Sequence, residues 1–464
     1  MIHTDPALME AEQLLALYAR RALSPVEALK AVTERIARMN PWVNAFAALN
    51  PRALQQAGES EARWAAGRPM GPLDGVPVTV KDLLHVAGFP TRRGSRTTEA
   101  TPATEDAPAV LGLKLAGAVI IGKTTTTEFG WKSPGDCPLH GITRNPWNRE
   151  RTPGGSSSGA GAAAAACFGP LHIGTDAGGS IRIPAAFCGV VGVKPSFGRI
   201  PQWPLGAFAN VAVAGPMARS VRDAALMMNA MARHDLRDPF SLPDDPRDWR
   251  DGIEDGVAGL RVALVRRMGF DAPLDAEGEE ALMQAARVLE AAGALVEEAD
   301  PQLPDTRAIF GRVWGVALSR LVASVPEEKR GLLDAGITDV AEAEGRMSAV
   351  DFLGADALRI EAAHAMARFH QRYDIMLTPC TPTAAFGADQ PTIDPRMALW
   401  RDWAPWTFTH NLTRQPAISV PVGLDAEGMP RAVQVAAALY RDDVAFRAAR
   451  ALEIALQSPA APVL

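Results

Sequence analysis

Gly154-Gly155-Ser156-Ser157-Ser158-Gly159, followed by Gly174-Thr175-Asp176-Ala177-Gly178-Gly179-Ser180-Ile181-Arg182-Ile183-Pro184, is the stretch from which the rest of this chain is read. Two loops rich in glycine and serine flank a short unit of regular structure. Alanine dominates Ala160–Ala166, which predicts a helix, and Leu171–Ile173 predicts a strand. Upstream, Val76-Pro77-Val78-Thr79-Val80 reads as a β-rich strand running into Lys81-Asp82, followed by a helix near Leu111–Ala116 and a strand at Ala118–Ile121. Downstream, Val190–Val193 reads as a strand. Helices are expected over 219–233, 276–292 and 348–371, and strands at Val262–Val265, Ile375–Leu377 and Ile418–Val422. A last helix follows Asp442-Asp443. At the other end, Asp5 and Pro6 suit a helix start, and Ser24-Pro25-Val26-Glu27 is a capping box with proline at the first helical position. Helices alternate with strands throughout, so the expected fold class is α/β, with a central sheet covered by helices on both faces.

Length alone, at 464 residues, suggests about three domains. No Ser/Gly linker, charge run or low-complexity stretch divides the chain, however, so one domain over 1–464 is expected, with a helical excursion at about 219–371. A hydrophobic fraction of 47% with 22% charged residues places the chain among soluble globular proteins. The net charge of −6, with Lys and Arg scattered, argues against direct nucleic-acid binding. No basic segment followed by an apolar core opens the chain, and no apolar run is long enough to span a membrane, so a cytoplasmic location is expected. Cys137, Cys167, Cys188 and Cys380 have neither CxxC nor disulfide-framework spacing and read as inert thiols. No HExxH and no Cys/His cluster marks a metal site.

Three segments invite a chemical reading. Gly117-Ala118-Val119-Ile120-Ile121-Gly122-Lys123-Thr124 satisfies the phosphate-loop expression, but its middle four residues read as a buried strand, and Thr124–Thr127 is a poor helix start. Gly155–Gly159 satisfies GxSxG, yet a nucleophile elbow needs a strand leading into it, and Asn145–Pro153 is polar and broken by proline. The third is a conjunction: Lys81 at a strand end, the Ser156-Ser157 pair, and Ser180 twenty-four residues beyond Ser156. A strand-end lysine is ordinarily solvated, and a Gly/Ser loop is ordinarily a turn. Their combination is less ordinary.

That combination resembles the amidase signature family, whose hallmark is GGSS(S/G)G leading to GTDxGGSIRxPAxFCG. The chain carries both in full, from Gly154 to Gly159 and from Gly174 to Gly189. Gly75–Asp82, Gly117–Phe129 and Asn145-Pro-Trp-Asn148 match as well, with looser similarity at Tyr373–Pro379 and Gln415–Gly423. The resemblance is strongest over 71–200, and it implies the amidase signature fold, with a mixed twisted sheet. It also implies a Ser–cis-Ser–Lys triad. Ser180 attacks the carbonyl, Ser156 follows a cis peptide bond and relays the proton, and Lys81 is the base. A free lysine is almost entirely charged at neutral pH, so Lys81 would need burial to serve. The apolar run before it is consistent with burial, although pairing with Asp82 near the surface is the competing reading.

On the same resemblance, Ala177, Gly178, Gly179 and Ser180 supply backbone N–H donors to an oxyanion, since two glycines let successive N–H groups converge. Ser157, Asp176 and Arg182 would support the loops, and Ser158 would be a loop residue. No metal or cofactor is implied. The expected activity is that of the general amidase branch, acting on small-molecule amides, anilides or carbamates through an acyl-Ser180 intermediate. The A-type subunit of a tRNA-dependent amidotransferase is the alternative. Gly345–Leu353, the tryptophans near 400–406 and Arg414-Gln415 depart from that branch. Trp400, Trp403 and Trp406 could line an aromatic pocket or simply pack; Trp203, Leu205 and Phe208 could form a second wall. No sequence signal bears on oligomeric state, for which a homodimer is the working expectation.

Overall fold

The computed structural model describes residues 5–456 apart from 395 and 398, together with residue 462. Eleven strands form one sheet. They are β1 Phe46–Leu49, β2 Pro77–Lys81, β3 Val119–Thr124, β4 Leu171–Asp176, β5 Val191–Lys194 and β6 Val213–Ala218. The remainder are β7 Arg261–Leu264, β8 Leu295–Glu298, β9 Ile375–Pro379, β10 Ala417–Leu424 and β11 Pro430–Ala437. Their order across the sheet is β1-β3-β2-β4-β6-β5-β10-β11-β9-β7-β8. The sheet is mixed: β2 runs parallel to β3 and β4, while β6 is antiparallel to both β4 and β5.

Helices cover both faces, as the alternating pattern requires. They are α1 Ala11–Ala19, α2 Pro25–Val43, α3 Ala53–Ala65, α4 Pro108–Leu115, α5 Ser158–Ala165, α6 Arg182–Cys188 and α7 Val221–Met231. The second half adds α8 Ala276–Ala291, α9 Thr306–Ser324, α10 Ala335–Glu344, α11 Ala349–Phe369, α12 Pro405–Leu412 and α13 Asp442–Leu456. On β3 the period of two is plain. Ile120 packs into the cluster formed with α4, α7, α8 and α13, whereas Val119 and Ile121 pack with α2, α3 and α5. None of the described helices is long and apolar enough to cross a membrane.

Local signals set the elements. The Ser24 capping box forms as expected, its hydroxyl accepting from the Glu27 N–H and the Glu27 carboxylate from the Ser24 N–H. The start at Asp5 and Pro6 opens only a short 3₁₀ turn, Pro6–Leu8, and α1 begins at Ala11. Gly117–Thr124 is indeed a turn leading into a buried strand; Lys123 ends there in an ion pair with Asp82 at 2.7 Å rather than in a phosphate loop. No strand leads into Gly155, as a nucleophile elbow would require. The 219–371 excursion holds two strands, β7 and β8, as well as helices.

Candidate active site

The strand period aims Lys81. Val78 and Val80 point into the α4–α7 side of the sheet, so Thr79 and Lys81 face the opposite side, where α5 packs on β2. Lys81 is fully buried. Its Nζ donates to Ser156 Oγ at 2.8 Å, Ser157 Oγ at 2.9 Å and the Thr175 carbonyl at 3.3 Å. Burial drives its pKa well below the usual lysine value, against a weaker upward pull from Asp176. The surface pairing with Asp82 is not what forms: Asp82 faces Lys123, and the two are buried together.

The Gly/Ser loop crosses directly over Lys81. The Gly155–Ser156 peptide is cis. Ser157 donates its N–H to the Ser180 carbonyl at 3.1 Å, stitching the two signature loops together. The Ser157 hydroxyl also donates to the Thr175 carbonyl at 3.2 Å, and so braces both the lysine and the end of β4. Ser158 is the first residue of α5 rather than part of the loop. Gly130 holds a positive φ of 77°, and a Cβ there would lie 3.2 Å from Ser156 Oγ, so the close approach needs glycine.

The second loop turns on Asp176. Its carboxylate accepts from the Gly179 N–H at 2.7 Å, the Ile181 N–H at 3.1 Å, and both Arg182 Nη2 and Nε at 2.9 and 3.0 Å. Burial alone would raise the Asp176 pKa; the Arg182 guanidinium, Lys194 and Asn411 outweigh it and hold the carboxyl well below the usual range. Gly179 is thereby committed to Asp176. Among the described residues, the N–H groups of Ala177, Gly178 and Ser180 have no such partner, so three donors remain of the four expected.

Two residues complete this network from the far end of the chain. Asn411 on α12 donates to the Asp176 carbonyl at 3.0 Å and to Oδ1 at 2.9 Å, and accepts from Arg182 Nη2 at 2.7 Å. Gln434 on β11 accepts from Arg182 Nη1 at 2.7 Å. The sequence reading missed Asn411, although a polar residue in a helix buried along its whole length must find partners.

Ser156 and Ser180 open onto one cavity of about 100 Å³. Leu83, Leu84, Phe129, Phe208 and Leu321 form its apolar wall, and Arg93 also lines it. Of the expected second wall, Phe208 is present, whereas Trp203 and Leu205 are not among the lining residues. The three later tryptophans do not line it either. Trp400 packs on Phe310 and Trp314, Trp403 lies between Phe187 and Phe386, and Trp406 donates to the Arg266 carbonyl at 2.8 Å. Their spacing near Pro405 turns them into core. Trp400 acts only from behind: a Cβ on Gly178 would come within 2.8 Å of its ring.

A mixed sheet between helix layers, with a buried lysine and two serine loops on one cavity, defines a class of hydrolases that cleave amide C–N bonds. The Amidase family model matches residues 27–445, and the chain belongs to the amidase signature family. It is 36% identical over 453 residues to an acylamidase of Rhodococcus erythropolis, covering 96% of this chain and 95% of that one. It is 37% identical over 476 residues to the A-type subunit of the glutamyl-tRNA(Gln) amidotransferase of Anaeromyxobacter dehalogenans (strain 2CP-C), covering 96% and 95%. Among solved structures it resembles a bacterial aryl acylamidase of the same family, with a TM-score of 0.89, 27% identity, and coverage of 97% of this chain and 96% of that one.

Proposed function

We propose that this enzyme hydrolyses small carboxylic amides through an acyl-Ser180 intermediate, with Lys81 as base and Ser156 as proton relay. One observation carries the reading: Lys81, fully buried, donates a 2.8 Å hydrogen bond to Ser156, which opens onto the cavity that Ser180 also lines. A serine hydroxyl needs a neighbouring base to attack at neutral pH, and a lysine with a depressed pKa is one. As Ser180 Oγ bonds to the carbonyl carbon, its proton passes to Ser156, whose own proton passes to neutral Lys81. The oxyanion meets the N–H groups of Ala177, Gly178 and Ser180. The C–N bond then breaks, and the departing amine receives a proton back through Ser156. Water adds to the acyl-serine by the same relay and releases the acid. Ser157, Asp176 and Arg182 hold this geometry.

The apolar wall supports aryl amides, and a urethane could follow the same acyl-enzyme course. One sheet shared by strands from both halves supports a single domain over the whole chain. Four buried, unpaired cysteines suit the cytoplasm. The second reading, an amidotransferase component of the A type that needs a partner, draws its support from relatives such as that of Anaeromyxobacter.

Amine release from a panel of aliphatic amides, anilides and aryl carbamates tests the proposal, using wild type, Ser180→Ala and Lys81→Ala. Wild-type turnover that falls by ~10³-fold or more in both variants is expected. Undiminished turnover by Ser180→Ala would overturn it. Turnover by the isolated chain speaks against an obligate partner.

A further inference from the structure

Arg93 stands in the wall of the reacting cavity with a guanidinium that makes no hydrogen bond and no ion pair among the described residues. Its main chain is fixed on both sides. The N–H donates to Asp82 Oδ2 at 3.1 Å, the carbonyl accepts from the Phe129 N–H at 2.8 Å, and φ is +55°. The side chain therefore starts from an anchored position.

The local charge does not balance. Asp82 is the carboxylate whose field reaches Arg93. Asp82 Oδ1 faces Lys123 Nζ at 2.7 Å, and Oδ2 already accepts the N–H groups of Arg92 and Arg93 at 3.2 and 3.1 Å. Two cations thus share one anion, and one positive charge is left over beside the cavity. The other lining groups offer it little. Leu83, Leu84, Phe129, Phe208 and Leu321 are apolar, and the Gln202 amide is engaged with the Ala212 carbonyl at 2.5 Å. Half-buried against an apolar wall and without a side-chain partner, the guanidinium is placed to receive an anionic group of a ligand in the cavity. Its planar fork fits a carboxylate in two-point contact.

We propose that Arg93 binds a carboxylate on the substrate, so that the preferred substrates are short amides carrying an anionic group within a few bonds of the scissile carbonyl. This rests on the reading that Ser180 is the nucleophile of the same cavity. The volume of about 100 Å³ favours a compact molecule. The carboxylate has two available sources. It belongs to the acyl side, as in a dicarboxylic acid monoamide, or to the amine side, as in an N-acyl amino acid.

Paired substrates separate these sources: succinamate against butanamide, and N-butyrylglycine against N-propylbutanamide. In one pair, wild-type kcat/KM is expected to favour the anionic member by ~10- to 100-fold, the range of a charge-assisted hydrogen bond. That ratio should collapse towards one in Arg93→Gln and recover in part in Arg93→Lys. Because each ratio is taken within a single variant, any loss of folded enzyme cancels. No anionic preference in either pair, or one that survives in Arg93→Gln, overturns the proposal. If wild type turns over none of the four, calorimetry of Ser180→Ala with succinamate and N-butyrylglycine decides, and binding indifferent to Arg93→Gln overturns it equally. Hydrolysis of the neutral amides that persists in Ser180→Ala would instead overturn the nucleophile assignment, which keeps the two failures apart.

Discussion

Lys81 sits at the meeting of three acceptors, and each acceptor constrains a different thing. Ser156 leads towards the cavity, Thr175 belongs to the end of β4, and the Ser157 hydroxyl joins the lysine to Thr175. Removing the Ser157 hydroxyl leaves the base and relay in place but frees the lysine Nζ to swing. Ser157→Ala is therefore expected to lower kcat by ~10- to 100-fold with little change in KM, which steady-state kinetics reads directly. An unchanged kcat would make Ser157 a packing residue only. The same buried lysine sets the pH profile. Its depressed pKa means that the neutral base is recovered at a pH far below the ordinary lysine value. The logarithm of kcat/KM should rise with pH and level off well before ~10.4. A rise that continues through that value would show a lysine left as in water.

At the scale of elements, Thr407 ties α12 to the loop between β4 and α6 by donating to the Gly178 carbonyl at 2.9 Å, and Asn411 makes the larger tie. It satisfies the Asp176 carbonyl, one Asp176 carboxylate oxygen and one Arg182 donor, all without access to water. Asn411→Ala strands those groups, and each buried orphan costs about 1–3 kcal/mol. A loss of ~2–4 kcal/mol in urea unfolding is expected, with kcat falling more than KM rises, because the loop carrying Ser180 loosens. Stability and kinetics both unchanged would remove Asn411 from the network. This dependence marks what the chain discloses locally and what it withholds. The strand before Lys81, the helix of Ala160–Ala166 and the two Gly/Ser loops were legible because propensity and turn chemistry agree there. β6 was not, since Val213-Ala-Gly-Pro-Met-Ala218 places glycine and proline inside a strand. Nor was α6, seven residues long with a proline in its interior sequence. Arg93 and Asn411 escaped because their roles arise from what packs against them, and neither lies in a motif.

Across the whole molecule, β5 and β10 form the seam between the strands of residues 46–218 and those of 261–437, pairing Lys194 with Ala417, Val193 with Ile418 and Gly192 with Ser419. Arg182 reaches Gln434 on the far side of that seam, so the signature loops depend on the C-terminal half although their motif ends at Gly189. Lys194 is buried on the seam itself, its Nζ donating to the Pro195 carbonyl at 2.9 Å. Burial first, then the Arg182 charge, lower its pKa to about 7 against the upward pull of Asp176 and Asp442. The unfolded chain holds that proton up to ~10.4. Between these values the unfolded state binds more protons than the folded one, so this residue's contribution to stability rises with pH, by at most ~1.4 kcal/mol per unit. Below about 7 the cost of the buried charge is present in full. Lys194→Met removes the titration but keeps the length of the side chain. The stability of wild type relative to this variant should therefore increase between pH 7 and 9, measured by denaturant unfolding at each pH, because other titrating groups cancel in the difference. Parallel pH dependences would mean that Lys194 keeps its proton in the folded seam, and the seam would then be held by a charged lysine balanced by Asp176 and Asp442.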